Sequence, residues 1–123
     1  RRYINESFDE LIFIGSNTDI FGYGHEGEGG NSTMQLLERI DKIPKADYYT
    51  LLIGTNDWKG DVETTFENIL EVTNYLAALN PGAKILYITP IPTTNEPRDS
   101  FNINLCEKLE VEFKKKDHVF VLE

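Results

Sequence analysis

The sequence predicts a three-layer α/β/α domain built on a parallel sheet. Three observations lead there. Short apolar, β-favouring runs alternate with segments of helical periodicity, in the order strand, helix, strand, helix, strand, helix, strand. The runs are apolar without a strict period-two alternation, as in strands buried on both faces. The run at 48–53 ends abruptly in Gly54-Thr55-Asn56-Asp57, which puts polar side chains at the carboxyl end of a strand, the edge where open α/β sheets bind ligands.

The elements follow in chain order. Residues 10–14 (Glu-Leu-Ile-Phe-Ile) read as a first buried strand, stopped by Gly15-Ser16-Asn17. Residues 18–31 hold five glycines and no apolar period, so a long functional loop is expected. Ser32-Thr33 open a helix with Met34, Leu36, Leu37 and Ile40 on one face, and Pro44 closes that region. A second strand is expected over 48–53. Asp61 is a suitable N-cap for a helix over 62–79, with Val62, Phe66, Ile69, Leu70, Thr73, Leu76 and Ala77 at helical spacing and Asn80-Pro81-Gly82 as its stop. A third strand is expected over 84–89, then a proline-rich loop to Pro97. A third helix is expected over 99–116, with Phe101, Leu105, Leu109 and Phe113 inside and Lys114, Lys115 and Lys116 in its last turn. Residues 118–122 complete a fourth strand.

Composition narrows the function. The chain has 123 residues, 40% of them apolar and 11% aromatic, which suits one domain with a real core. Its formal charge is −9, from 21 acidic and 12 basic residues. No cationic face exists to repay binding to phosphates, so neither nucleic acid nor an anionic membrane is expected as a partner. No apolar run of about 18 residues is present to span a bilayer. The single cysteine, Cys106, excludes an intramolecular disulfide and reads as a core or boundary residue beside Leu105 and Leu109. It leaves the compartment open. A chain opening Arg1-Arg2-Tyr3 without an initiator Met is compatible with a removed leader, as in a secreted protein. No cluster of metal-ligand type stands out, and no cofactor is expected. Gly22-x-Gly24-x-x-Gly27 spells a nucleotide fingerprint but does not sit tightly between a strand and a helix.

Two stretches carry a family resemblance. Gly54-Thr55-Asn56-Asp57 resembles the third block (Gly-x-Asn-Asp) of the SGNH, or GDSL-type, hydrolases. Residues 13–19 followed by His25-Glu26-Gly27-Glu28-Gly29-Gly30-Asn31-Ser32 resemble a carbohydrate acetyl-esterase subgroup, in which a His-Glu-Gly loop opens a helix. The resemblance covers nearly the whole chain. It implies a flavodoxin-like parallel sheet and a serine esterase acting on small acyl esters, such as acetyl groups on carbohydrate. It also implies that the Gly30 N–H and the Asn56 carboxamide donate to one oxyanion. Acyl transfer places negative charge on that oxygen, and convergent donors stabilise it. Asp57 and Trp58, next in sequence, are candidate substrate-binding residues. For Asp57 the competing reading is a loop-fixing hydrogen bond, and for Trp58 it is packing.

The departures are as informative. Neither Gly-Asp-Ser nor Asp-x-x-His occurs in the 123 residues, and Asp117-His118 stand adjacent before a strand. Ser16 follows a strand and a glycine, as a nucleophile would, but precedes Gly30 too closely for the family's spacing. His25 reads as a loop-stabilising residue. The expectation is therefore a single SGNH hydrolase-like domain over 1–123, incomplete at both ends, lacking the first strand and the C-terminal segment of the fold that the resemblance implies. The Ser nucleophile and the Asp and His that activate it would then lie outside it. The alternative is a non-catalytic ligand- or carbohydrate-binding module on the same flavodoxin-like scaffold.

Overall fold

The computed structural model describes residues 14–15, 17–18, 24–25, 32–90 and 92–122. Its centre is a parallel sheet of three strands, β3 (Tyr48–Leu51), β4 (Lys84–Ile88) and β5 (Val119–Leu122), lying side by side in that order. The register pairs Tyr48 with Lys84 and Leu51 with Tyr87, then Ile85 with Val119 and Ile88 with Leu122. Helix α2 (Val62–Leu79) connects β3 to β4, and α3 (Glu96–Phe113) connects β4 to β5. Ahead of them lie α1 (Thr33–Glu38) and a short antiparallel ladder of β1 (Asn17–Thr18) with β2 (Gly24–His25). Part of the expected loop over 18–31 is thus paired. Gly24 fits there because a Cβ would stand 2.8 Å from the Ile14 and Gly15 backbone.

The core lies between one sheet face and the two long helices. Ile53, Ile85, Tyr87 and Val119 face Ile69, Val72 and Leu76 of α2 and Phe101, Leu105, Leu109 and Phe113 of α3. Tyr87 and Phe113 meet with ring centroids 5.7 Å apart at a tilt of 59°. Each fully buried Leu or Ile contributes about 1.5–3 kcal/mol through its transfer from water. The other sheet face is different. Tyr48, Leu52 and Phe120 are 67%, 57% and 49% exposed. The strands read as apolar throughout, yet among the described residues burial alternates along them.

Several boundaries differ from expectation. β3 stops at Leu51, and two residues further on the Ile53 carbonyl accepts the Tyr87 hydroxyl (2.8 Å). Helix α3 starts at Glu96, three residues early. Asn95 caps it through the Arg98 N–H (3.2 Å), and Pro97 sits in the first turn, where a missing N–H costs nothing. It ends at Phe113, so Lys114, Lys115 and Lys116 follow the helix in a tightening turn. Helix α1 is only six residues long. Ile40 falls in a 3₁₀ turn (Ile40–Lys42), and Met34 is half exposed rather than on the inner face. Of the expected strand over 10–14 only Ile14 is described, and it is exposed and outside any strand.

Candidate functional site

The turn after β3 is built for presentation. Gly54 is buried and takes φ +114°, a left-handed conformation that side chains rarely adopt. A Cβ there would come within 2.8 Å of Leu105 Cδ2 and 3.3 Å of Ile69 Cδ1. The chain reverses at Gly54 and winds into a 3₁₀ turn over Thr55–Asp57, closed by the Asp57 N–H on the Gly54 carbonyl (3.1 Å). Asn56 occupies the middle of that turn and is exposed at the carboxyl edge of the sheet.

Both neighbours of Asn56 are tied down. The Asp57 carboxylate accepts the Thr33 N–H (2.9 Å) at one oxygen. At the other it accepts the Thr33 hydroxyl, and the Thr65 hydroxyl at a longer 3.4 Å. Asn68 Nδ2 donates to the Thr33 hydroxyl oxygen (3.1 Å), which leaves that hydroxyl's proton for Asp57. On the other flank, Asn102 Nδ2 of α3 donates to the Thr55 hydroxyl (3.3 Å). Asp57 thereby joins the first turns of α1 and α2 to the turn. Helix α1 completes its own start with a capping box between Ser32 and Gln35.

An open cavity of about 220 Å³ adjoins the turn, lined by Asn56, Asp57, Met34, Lys59, Thr64 and Asn68 among others. Asp61 lines it too while capping α2. The Thr64 hydroxyl and then the Thr64 N–H bond its carboxylate and hold it below the usual acidic range. Trp58 is half-buried against the core. Lys59 Nζ stands 5.3 Å and Arg98 Cζ 5.2 Å from its ring centroid.

The expected site residues therefore fall into two groups. Asn56, Asp57 and Trp58 sit together at the carboxyl edge; Gly30 and Ser16 lie outside the described residues. His25 belongs to β2. His118 sits before β5 at the opposite edge, its carbonyl accepting the Ile85 N–H (2.8 Å). Thr33, Thr65, Asn68 and Asn102 were not legible as site residues. Each reads in the sequence as an ordinary helix position, and only the pairing across elements reveals it. Among the described residues no cluster of three metal-ligating side chains occurs, and no helix is long and apolar enough to cross a membrane.

Fold and site together define an open α/β protein with a polar turn at the carboxyl edge of its sheet. No protein-family model matches the chain, and neither does any curated protein. Solved structures do. An acetyl esterase mutant with an acetate ion superposes with a TM-score of 0.86 at 19% identity, over 98% of this chain and 68% of that one. A carbohydrate esterase family 3 protein from Talaromyces cellulolyticus gives 0.81 at 20%, over 93% and 63%. A possible lipase from Chitinophaga pinensis gives 0.53 at 20%, over 96% and 54%. The chain shares the fold of these esterases and spans between about half and two thirds of their lengths.

Proposed function

We propose that the chain is the central part of an SGNH-type serine esterase that hydrolyses small acyl esters, acetyl esters of carbohydrate among them. The observation that carries the reading is Asn56, exposed at the carboxyl edge on a turn whose flanking residues are both fixed. A carboxamide on such a support is preorganised to donate to an oxyanion, and a donor of this kind contributes about 3–4 kcal/mol to an acyl-transfer barrier. The likeness in fold to acetyl and carbohydrate esterases supports the same chemistry.

In this reading a serine outside the 123 residues attacks the acyl carbon after a histidine, oriented by an aspartate, takes its proton. The Asn56 carboxamide and the Gly30 N–H hold the tetrahedral oxyanion. The alcohol leaves with the proton from the histidine, and water then releases the acid by the reverse sequence. Asp57 and Trp58 serve the substrate side, Asp57 as a cavity wall tied to Thr33 and Trp58 as an aromatic surface. The test uses the protein from its complete reading frame. With p-nitrophenyl acetate, Asn56→Ala lowers kcat roughly a hundredfold or more. An unchanged rate, or a complete gene with no Gly-Asp-Ser and no Asp-x-x-His around these residues, favours the non-catalytic binding module.

A further inference from the structure

The buried polar side chains among the described residues are Thr33, Thr65, Thr73 and Asn102. Thr73 bonds to the Leu70 carbonyl of its own helix (2.9 Å). The other three come from three different helices and converge on one turn: Thr33 and Thr65 on Asp57, Asn102 on Thr55. Burying a polar group costs free energy unless it is bonded. A turn that only linked a strand to a helix could be covered by apolar side chains instead. Here the buried bonds fall on the residue before Asn56 and the residue after it, while Asn56 itself stays exposed.

We infer that Thr33 and Asn102 are positioning residues that fix the direction of the Asn56 carboxamide by holding its two chain neighbours. Thr33 acts through Asp57. Its hydroxyl accepts from Asn68 and donates to the carboxylate, so α1, α2 and the turn share one bonded chain. Asn102 acts through Thr55 from the first half of α3. Side chains from α1, α2 and α3 thereby set one side chain. The inference rests on the oxyanion reading of Asn56, and a misplaced donor is costly because a shift of about 1 Å in a reacting geometry can cost up to a hundredfold in rate.

The experiment measures kcat and KM for p-nitrophenyl acetate together with Tm, in the protein from its complete reading frame. Thr33→Val should lower kcat about tenfold while KM changes less than twofold, and Thr33→Ser should restore it. Thr55→Val, which removes the acceptor for Asn102, should lose a comparable factor, and it carries the comparison if Thr33→Val does not fold. Adding either change to Asn56→Ala should cause no further loss, since both act through the missing carboxamide. Wild-type kcat in both valine variants, failure of serine to restore, or a full second loss on top of Asn56→Ala overturns the positioning role alone. Wild-type kcat in Asn56→Ala, or no ester hydrolysis by the complete protein, overturns the oxyanion reading and this inference with it.

Discussion

At the residue scale, Gly54 decides whether the turn can exist. Its positive φ and the 2.8 Å approach of Leu105 to a would-be Cβ both exclude a side chain. Gly54→Ala should therefore destabilise the protein by about 1–3 kcal/mol, measured by denaturant titration, whereas a loss below about 0.5 kcal/mol would mean that the turn relaxes freely. This position was legible, because a glycine that ends an apolar run predicts a turn at a sheet edge. Asn56 was legible for the same reason. The support around it was not. Thr33 stands 24 positions from Asp57, and Asn102 stands 47 from Thr55. No local pattern marks two residues so far apart as partners, and a threonine or asparagine within a helix has many ordinary readings. For Asp57 the loop-fixing reading is the one its bonds show, since its carboxylate braces α1 through the Thr33 N–H, and a substrate role belongs to the proposal.

At the element scale, helix α2 runs over Val62–Leu79 as its cap and stop signals indicate. Helix α3 shows where such signals mislead. Pro97 reads as a loop residue, but a proline is at home in a first helical turn, and the capping asparagine lies just ahead of it. Asn95→Ala should cost about 1 kcal/mol in a thermal or chemical melt, and Asn95→Asp should cost little, because either side chain can accept the Arg98 N–H. An unchanged stability in Asn95→Ala would show that the cap contributes nothing. For the three strands from residue 48 onward the reading was accurate in position and too long by one or two residues at one end of each. Beyond the end of β3 the Ile53 carbonyl accepts the Tyr87 hydroxyl, a contact 34 positions apart that has no local signal in the sequence.

At the scale of the whole molecule, the parallel order β3-β4-β5 and the core that the described residues form between sheet and helices follow from the alternation of elements. The exposed face bearing Tyr48, Leu52 and Phe120 did not follow, because an apolar run does not say which of its faces is covered. Tyr87 and Asp61 each make stability depend on pH, at opposite ends of the scale. Burial raises Tyr87 well above its ordinary value of 10, with Cys106 and then Asp57 adding to the effect. The unfolded chain therefore ionises first, and stability present below pH 10 is lost as pH rises further. Tyr87→Phe should flatten that alkaline slope while costing about 1–3 kcal/mol at neutral pH, since the Ile53 carbonyl loses its partner. Asp61 works at the other end. Its lowered pKa gives a contribution present above its ordinary 3.8 and lost as pH falls through the lower folded value.

All of this converges on the carboxamide of Asn56, and one paired measurement addresses it most directly: kcat for acetyl ester hydrolysis and Tm, compared between wild type and Asn56→Ala in the protein from its complete reading frame. The side chain is exposed, so its removal should leave Tm within about a degree or two while kcat falls roughly a hundredfold or more. A variant that keeps the wild-type kcat, or loses activity only in step with a falling Tm, would contradict the assignment.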